Sequence, residues 1–404
     1  MSVLFNLFYI YDPWFFHFLR MAFVVGLLAC GYVAFQVMRG KSNGIIIPKD
    51  SLIAIIALIG FSIIPLLING TKEIGVLAMY VKMLILFVFG TAIYNIFYRT
   101  ENGKALFVRD LKIGIAIQWI CGVVALLGVP FMVDFLLSSN AMMPRFLGSE
   151  QEYRLYNITS SAFFQLSIFY LMLLHFLLAY NKKTDSINEW FLFLILCIGL
   201  ISGRTFLLVS VISIALYFKW KYLFPLIAFT ALILFLAIVF PENRYIGHAL
   251  EPIINIVNIV SSEQNVADIS QISSSSENLV KNHLFIPTLG QFISGDGLYY
   301  TETGGYYGGS DSGYIRQVLY GGLSYMLVCF AFTAYFVRKV AVNWFEGSWI
   351  FTLSTLGILA ILNIKADTFA FPGLMMLFLM FLSLFGTSGR NLILFCKNKE
   401  AKNV

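Results

Sequence analysis

Charge is what this chain has least of. Asp, Glu, Lys and Arg make up 12% of its 404 residues, about half of the roughly 25% found in an ordinary soluble domain. Too little polar material is present to clothe a water-soluble protein of this size. Cysteine is also sparse: Cys30, Cys121, Cys197, Cys329 and Cys396 stand alone, which excludes a disulfide framework and a cysteine metal cluster. The four histidines, His17, His175, His248 and His283, are scattered. No phosphate-binding Walker loop, HExxH zinc helix, G-x-S-x-G elbow or Asp-x-Asp pair occurs. A chain without an ATP motif must draw any driving energy from its substrate. No internal repeat of fixed period is visible, which counts against a transporter assembled from inverted repeats.

What fills the chain is apolar: 59% hydrophobic and 17% aromatic residues. Runs of roughly 17–25 apolar residues recur from end to end, each long enough to cross a hydrocarbon core as a helix. The composition predicts an all-α, polytopic membrane protein forming one transmembrane domain over 1–404. Spans are expected near 19–38, 52–68, 75–97, 111–136, 158–180, 190–202, 205–218, 222–240, 314–337, 348–364 and 371–387. The first seventeen residues either lie in the interface or add a short twelfth span, giving about 11–12 helices. They do not read as a cleaved signal peptide, which needs a basic start and a small-residue cleavage site.

The net charge of +6 is distributed by loop, in a way that points away from a nucleic-acid partner. Arg39, Lys41 and Lys49 share one loop; Arg99, Lys104 and Arg109 the next; Lys182 with Lys183, Lys219 with Lys221, Arg338 with Lys339, and Arg390 with Lys397, Lys399 and Lys402 follow. The positive-inside rule makes these the cytoplasmic loops, where they also meet anionic lipid headgroups. Two intervening loops are large, 137–157 and 241–313. The second carries eight acids (Glu242, Glu251, Glu263, Asp268, Glu277, Asp296, Glu302 and Asp311) against Arg244 and Lys281, and is expected to face outward. Within it, Ser273–Ser276 reads as a mobile stretch.

Segment 190–218 places one charge deep in the apolar layer. Two apolar stretches flank Gly203-Arg204-Thr205, and basic pairs stand at both outer ends. One long helix would put those pairs on opposite sides, so a hairpin is expected. Each arm then reaches roughly 20 Å, short of the ~30 Å core. Arg204 therefore sits at a recessed apex, and a buried arginine is a functional candidate by default. Arg145 and Arg154, Arg244, and Arg316 gather on the same outer side, and Lys82 interrupts the span 75–97. Lys365 and Asp367 occupy the turn ILNIKADTFAFPG, either as part of this group or as a solvated turn. Together these cations suit a phosphate or pyrophosphate, which arginine grips bidentately without losing its charge.

The stretch Gly295–Gly322, GDGLYYTETGGYYGGSDSGYIRQVLYGG, concentrates glycines, tyrosines, acids and Arg316 where the long outer loop meets a helix. Along with Arg154-Leu155-Tyr156-Asn157 and Ser202-Gly203-Arg204-Thr205, it resembles the outer-loop and hairpin motifs of the Wzy-type O-antigen and capsule polymerases, relatives of the O-antigen ligases. Ligases commonly carry His-Asn where this chain has Asp311-Ser312, which favours the polymerase. The resemblance implies a multi-pass protein of the bacterial inner membrane with periplasmic outer loops. It implies metal-independent glycosyl transfer, without cofactor, between undecaprenyl-pyrophosphate-linked glycans, with a chain-length regulator as protein partner. Arg204, Arg154 and Arg316 would stabilise the departing pyrophosphate. Arg244, Arg145 and Lys82 would add to substrate binding, and Asp311 would act as the base. Tyr314 and Tyr299 would stack on sugar, although tyrosine belts at a membrane interface offer another reading. The rival classes are an O-antigen ligase acting on a lipid core acceptor and a polysaccharide or lipid transporter.

Overall fold

The computed structural model describes residues 1–15, 18–41, 43–140, 146–240, 242–261, 281, 283–386 and 391–396. Arg145, His17 and Ser273–Ser276 lie outside them. The helices are α1 (Ser2–Ile10), α2 (Met21–Met38), α3 (Lys49–Asn69), α4 (Gly75–Ile93, extended by a π turn Tyr94–Tyr98), α5 (Gly103–Leu126) and α6 (Pro130–Ser138). They continue as α7 (Phe163–Thr184), α8 (Trp190–Ser202), α9 (Arg204–Leu216), α10 (Leu223–Val239) and α11 (Arg244–Ser261). The last four are α12 (Leu289–Ser294), α13 (Gly313–Phe345), α14 (Trp349–Asn363) and α15 (Leu374–Leu382). Two small antiparallel pairs complete the fold: β1 (Trp14–Phe15) with β2 (Leu19–Arg20), and β3 (Asn43–Pro48) with β4 (Asn391–Cys396).

Among the described residues six helices are long and apolar enough to cross a bilayer: Met21–Met38, Lys49–Asn69, Gly75–Tyr98, Phe163–Thr184, Trp220–Val239 and Gly313–Phe345. That is fewer than the eleven or twelve expected, and the reasons are local. The apolar run 111–136 is cut where α5 ends and Pro130 starts the nine-residue α6. The run 371–387 forms a helix only over Leu374–Leu382. The segment 190–218 splits into two helices of 13 residues each, as the hairpin reading required.

α7 is the central post. Nearly all its side chains from Leu166 to Ala179 are buried, and it packs against α8, α9, α13, α14 and α15. α2, α3 and α4 form a second group, joined to the first where α3 meets α13 and α4 meets α15. The α8–α9 hairpin closes tightly: a Cβ on Gly199 would lie 2.0 Å from the ring of Phe206.

The loops sort into two ends. At one, Lys339 pairs with Asp50 at 2.7 Å, Lys183 with Glu346 at 2.7 Å and Lys219 with Asp185 at 2.7 Å. Lys104 and Lys183 donate to the carbonyls of Asn343 and Trp344, at the C-terminus of α13, where the helix dipole favours cations. Both arms of the hairpin start from this basic end, since Asn181 in the last turns of α7 donates to Tyr222 Oη, in the turn after α9, at 2.7 Å. At the opposite end Thr71 donates to the Gly297 carbonyl at 2.8 Å and Gln165 to the Asp367 carbonyl at 3.0 Å. There too Tyr153 Oη lies 3.1 Å from His248 Nδ1.

The glycine-rich stretch works mainly as a splice. α13 breaks at Gly321–Gly322, where Gly322 has φ 73°, a conformation open to glycine. The opened turn offers its carbonyls to the loop: Asp296 N–H donates to Leu319 O at 2.6 Å and Gly297 N–H to Tyr320 O at 3.0 Å. A Cβ on Gly322 would meet Ile293 O at 2.5 Å, so the two backbones leave no room for side chains.

The hairpin apex is equally restricted. Gly203 has φ 155° and ψ 154°, a region essentially confined to glycine, and a Cβ there would lie 2.8 Å from Ser167 Oγ. Gly203→Ala is expected to destabilise the protein by about 1–3 kcal/mol, read as a lower unfolding temperature in detergent. Adding Ser167→Ala should recover the steric share of that loss and leave the backbone share.

Candidate functional site

The apex of the hairpin opens into a cavity of about 250 Å³ at the end opposite the basic loops, with Arg154, Arg204 and Lys365 in its wall. Each cation comes from a different part of the chain. Arg204 opens α9, whose N-terminus has no side-chain cap, so unpaired backbone N–H groups and the positive end of the helix dipole join the guanidinium there. Ser167 and Ser202, 3.2 Å apart, tie the apex to α7.

Arg154 sits on a short 3-10 turn, Glu152–Leu155, held from below by buried amides. Gln118 on α5 donates to Asn157 Oδ1 at 3.2 Å and accepts from the Ile158 N–H at 2.7 Å. Asn157 donates to the Arg154 carbonyl at 3.1 Å. Glu152 is spent on its own loop, accepting from Tyr156 Oη at 2.8 Å and from the Gly148 N–H. Arg154 Nε is buried without a hydrogen-bond partner. Arg316 Nε and Nη1 are buried in the same unpartnered way, and such donors call for a water or a ligand to meet them. Beside Arg154, Phe163 lines the cavity with φ 58°. A bulky residue in that conformation is strained, and such strain collects at functional sites.

Lys365 follows α14 and donates to Thr205 Oγ1 at 3.3 Å. Burial pushes its ammonium down to about 8, Arg154 and Arg204 push the same way, and Asp311 opposes them. His248, on α11, is driven down to about 4 by burial, then by Arg154 and Arg204, so it is neutral at ordinary pH. α11 lies against the cavity: Glu251 forms an ion pair with Arg204, and Arg244 reaches back to the Gly148 carbonyl at 3.3 Å.

The expected site residues therefore divide. Arg154 and Arg204 meet in one cavity. Arg316 lies apart from its wall, paired with Asp367 at 2.9 Å, with the two side chains 2% and 1% exposed. Tyr299 donates to the same carboxylate, and the Arg316 guanidinium rests 3.7 Å from the Tyr306 ring centre. Tyr299 is accordingly a buried structural donor, and Tyr314 donates to the Ala360 carbonyl at 2.9 Å. Arg244 does not line the cavity and donates to the Gly148 carbonyl and the Tyr245 hydroxyl. Lys82 has Arg20 and Asp12 as its charged neighbours and does not line the cavity. Asp311 is half exposed, its carboxylate 3.6 Å from His283 Nε2, close enough to Lys365 for its charge to be felt there. The main residues outside the expected binding set are Lys365, His248 and Glu251. Lys365 stands in the sequence beside Asp367, either as one of the outer-side cations or as part of a solvated turn, and nothing in the one-dimensional pattern pairs Glu251 with Arg204.

Chemically, two guanidiniums, an ammonium and an uncapped helix N-terminus in one recess make an anion site of phosphate type. No group of three or more His, Cys, Asp or Glu able to hold a metal ion occurs among the described residues. Comparison with protein-family models, curated proteins and solved structures gives no match.

Two outcomes follow. Binding of inorganic pyrophosphate to the purified protein should weaken roughly tenfold as pH rises through about 8, because Lys365 then loses its proton and one charged hydrogen bond. Lys365→Arg, which stays charged, should remove that step while retaining any drift due to the ligand's own titration. Second, Arg316→Ala or Asp367→Asn should destabilise by about 3–5 kcal/mol, since each strands a buried charge or dipole. Unfolding curves should separate these variants from Arg204→Ala, which lies in the cavity wall and is expected to fold normally.

Proposed function

We propose that this chain is a glycosyltransferase of the polysaccharide-polymerase type, joining lipid-pyrophosphate-linked repeat units into O-antigen or capsular polysaccharide in a bacterial inner membrane. The observation that carries this reading is the cavity where Arg154, Arg204 and Lys365 converge. Six apolar helices are compatible with a multi-pass membrane protein. By the positive-inside rule the end gathering the basic loops would face the cytoplasm, so the cavity would open to the outside, where carrier-linked glycans are presented.

In this mechanism the donor's pyrophosphate occupies the cationic recess. The acceptor hydroxyl forms the new glycosidic bond to the donor's anomeric carbon as the bond from that carbon to the phosphate oxygen breaks. The bonding pair leaves with the lipid pyrophosphate, whose growing charge falls on Arg154, Arg204 and Lys365. The hydroxyl proton passes to Asp311. Glu251 must first yield Arg204, so donor binding and displacement of α11 are linked. Arg316 supports this arrangement from behind: its guanidinium donates to the Asp311 carbonyl at 2.9 Å and holds the residue at the mouth of the helix.

Surface glycan from a deletion strain, resolved on a gel, tests the proposal. Loss of the protein should leave single repeat units on the cell, and wild-type protein should restore long chains. Arg204→Ala should fail to restore them at normal abundance, and Arg204→Lys should restore little, because a point charge does not reproduce the bidentate fork. Long polymer stranded on its carrier would replace this reading with the ligase. Single units trapped on the cytoplasmic leaflet would replace it with a transporter. Full-length polymer from Arg204→Ala would remove the cavity from the mechanism.

A further inference from the structure

The basic end holds a second polar feature that glycosyl transfer does not use. Two cavities of about 520 and 660 Å³ flank strand β3 and share one residue, Arg99. Lys41 lines the first and Lys104 the second, and among the described residues Glu101 is the one acid in either wall. The walls are built rather than accidental. Asn95, in the π turn that ends α4, clasps β3 through both amide atoms, donating to Ile46 O and accepting from Ile46 N–H, each at 2.9 Å. Arg99 donates to the Gly44 carbonyl at 2.5 Å, so its guanidinium is fixed between the two cavities. The second cavity also meets the N-terminus of the 24-residue α5, which lacks a side-chain cap.

Next to these cations the surface is apolar. Tyr32, Phe35 and Met38 on α2 are 52%, 42% and 78% exposed, and Val342 on α13 is 40% exposed. The Arg39 guanidinium lies 4.2 Å from the Phe35 ring centre, a cation–π contact on this apolar margin. A free phosphate would use the cations and leave this apolar margin without a role. A phospholipid uses both, with its phosphate between Arg99 and a lysine and its acyl chains along α2.

We propose that the paired cavities around Arg99 form a binding site for an anionic phospholipid headgroup. The site is independent of the apex cavity, sits at the other end of the molecule, and anchors β3, the π turn and the start of α5 to the membrane surface. Basic pockets between membrane helices take such headgroups by charge, at a gain on the order of fivefold in affinity per Lys or Arg.

The test uses the purified full chain in vesicles of equal parts phosphatidylglycerol and phosphatidylcholine, followed by native mass spectrometry of the lipids retained. Phosphatidylglycerol should be retained over phosphatidylcholine. Arg99→Gln with Lys104→Gln, which keeps hydrogen-bond donors at both positions, should weaken retention about fivefold per charge. Lys219→Gln, which removes a cation paired with Asp185 away from both cavities, should leave it unchanged. If the double variant does not fold, Lys41→Gln at the exposed rim carries the same expectation for one charge. Equal retention by the cavity variants, an equal loss in Lys219→Gln, or displacement of the lipid by inorganic phosphate alone would each overturn the proposal.

Discussion

A helix that stops partway through an apolar layer leaves backbone groups that no water can reach, and they must be paired or lined by a polar cavity. In the proposed membrane setting that constraint bears on this molecule at one place. The α8–α9 hairpin turns after 13 residues at Gly203, so the free N–H groups of α9 have to be housed. α7 supplies the walls and the Ser167–Ser202 contact, the 152–158 turn supplies Arg154, and the turn after α14 supplies Lys365. The cationic recess is thus a consequence of the short hairpin as well as a collection of charged residues.

Charge is scarce enough that each ionic group can be assigned work. At the basic end, lysines neutralise helix C-termini and a few acids at exposed positions, where single pairs contribute little. At the opposite end the Arg316–Asp367 pair is buried and contributes chiefly to geometry. Arg316–Asp367 is sealed from solvent and holds the first turn of α13, the Tyr299 hydroxyl and the Tyr306 ring in one arrangement. Arg204–Glu251 is part-buried and lies at a boundary between elements, which suits the opening that the proposed mechanism asks of it.

Much of this was legible in the sequence. Basic pairs at both ends of 190–218 left a hairpin as the economical solution, and they placed Arg204 at its tip. The division of loops into two sets follows from the alternation of Lys and Arg. Other parts were hidden. A hydropathy run does not report where a helix stops inside it, so the breaks at Gly128–Pro130 and at Gly321–Gly322 were passed over. The glycines of 295–322 suggested a ligand site, whereas several of them serve close backbone contact between the loop and the opened turn of α13. Burial decides the difference between Arg154 and Arg316, since both are outer-side arginines in the sequence and only tertiary structure supplies Asp367. The partnership of Arg204 with Glu251 spans 47 positions and belongs to the fold alone.

The Arg204–Glu251 contact has a consequence for selectivity. In the resting protein the strongest donor at the apex already has a carboxylate, so an incoming anion gains only the difference between its own interaction and the one it breaks. A small monovalent ion has too little charge to win that exchange. Under the proposed function a pyrophosphate would engage Arg154 and Lys365 as well as Arg204, and that added binding would complete the exchange. In that reading the internal carboxylate would act as a threshold: it would keep small anions out of a cationic recess and admit a ligand with several negative oxygens.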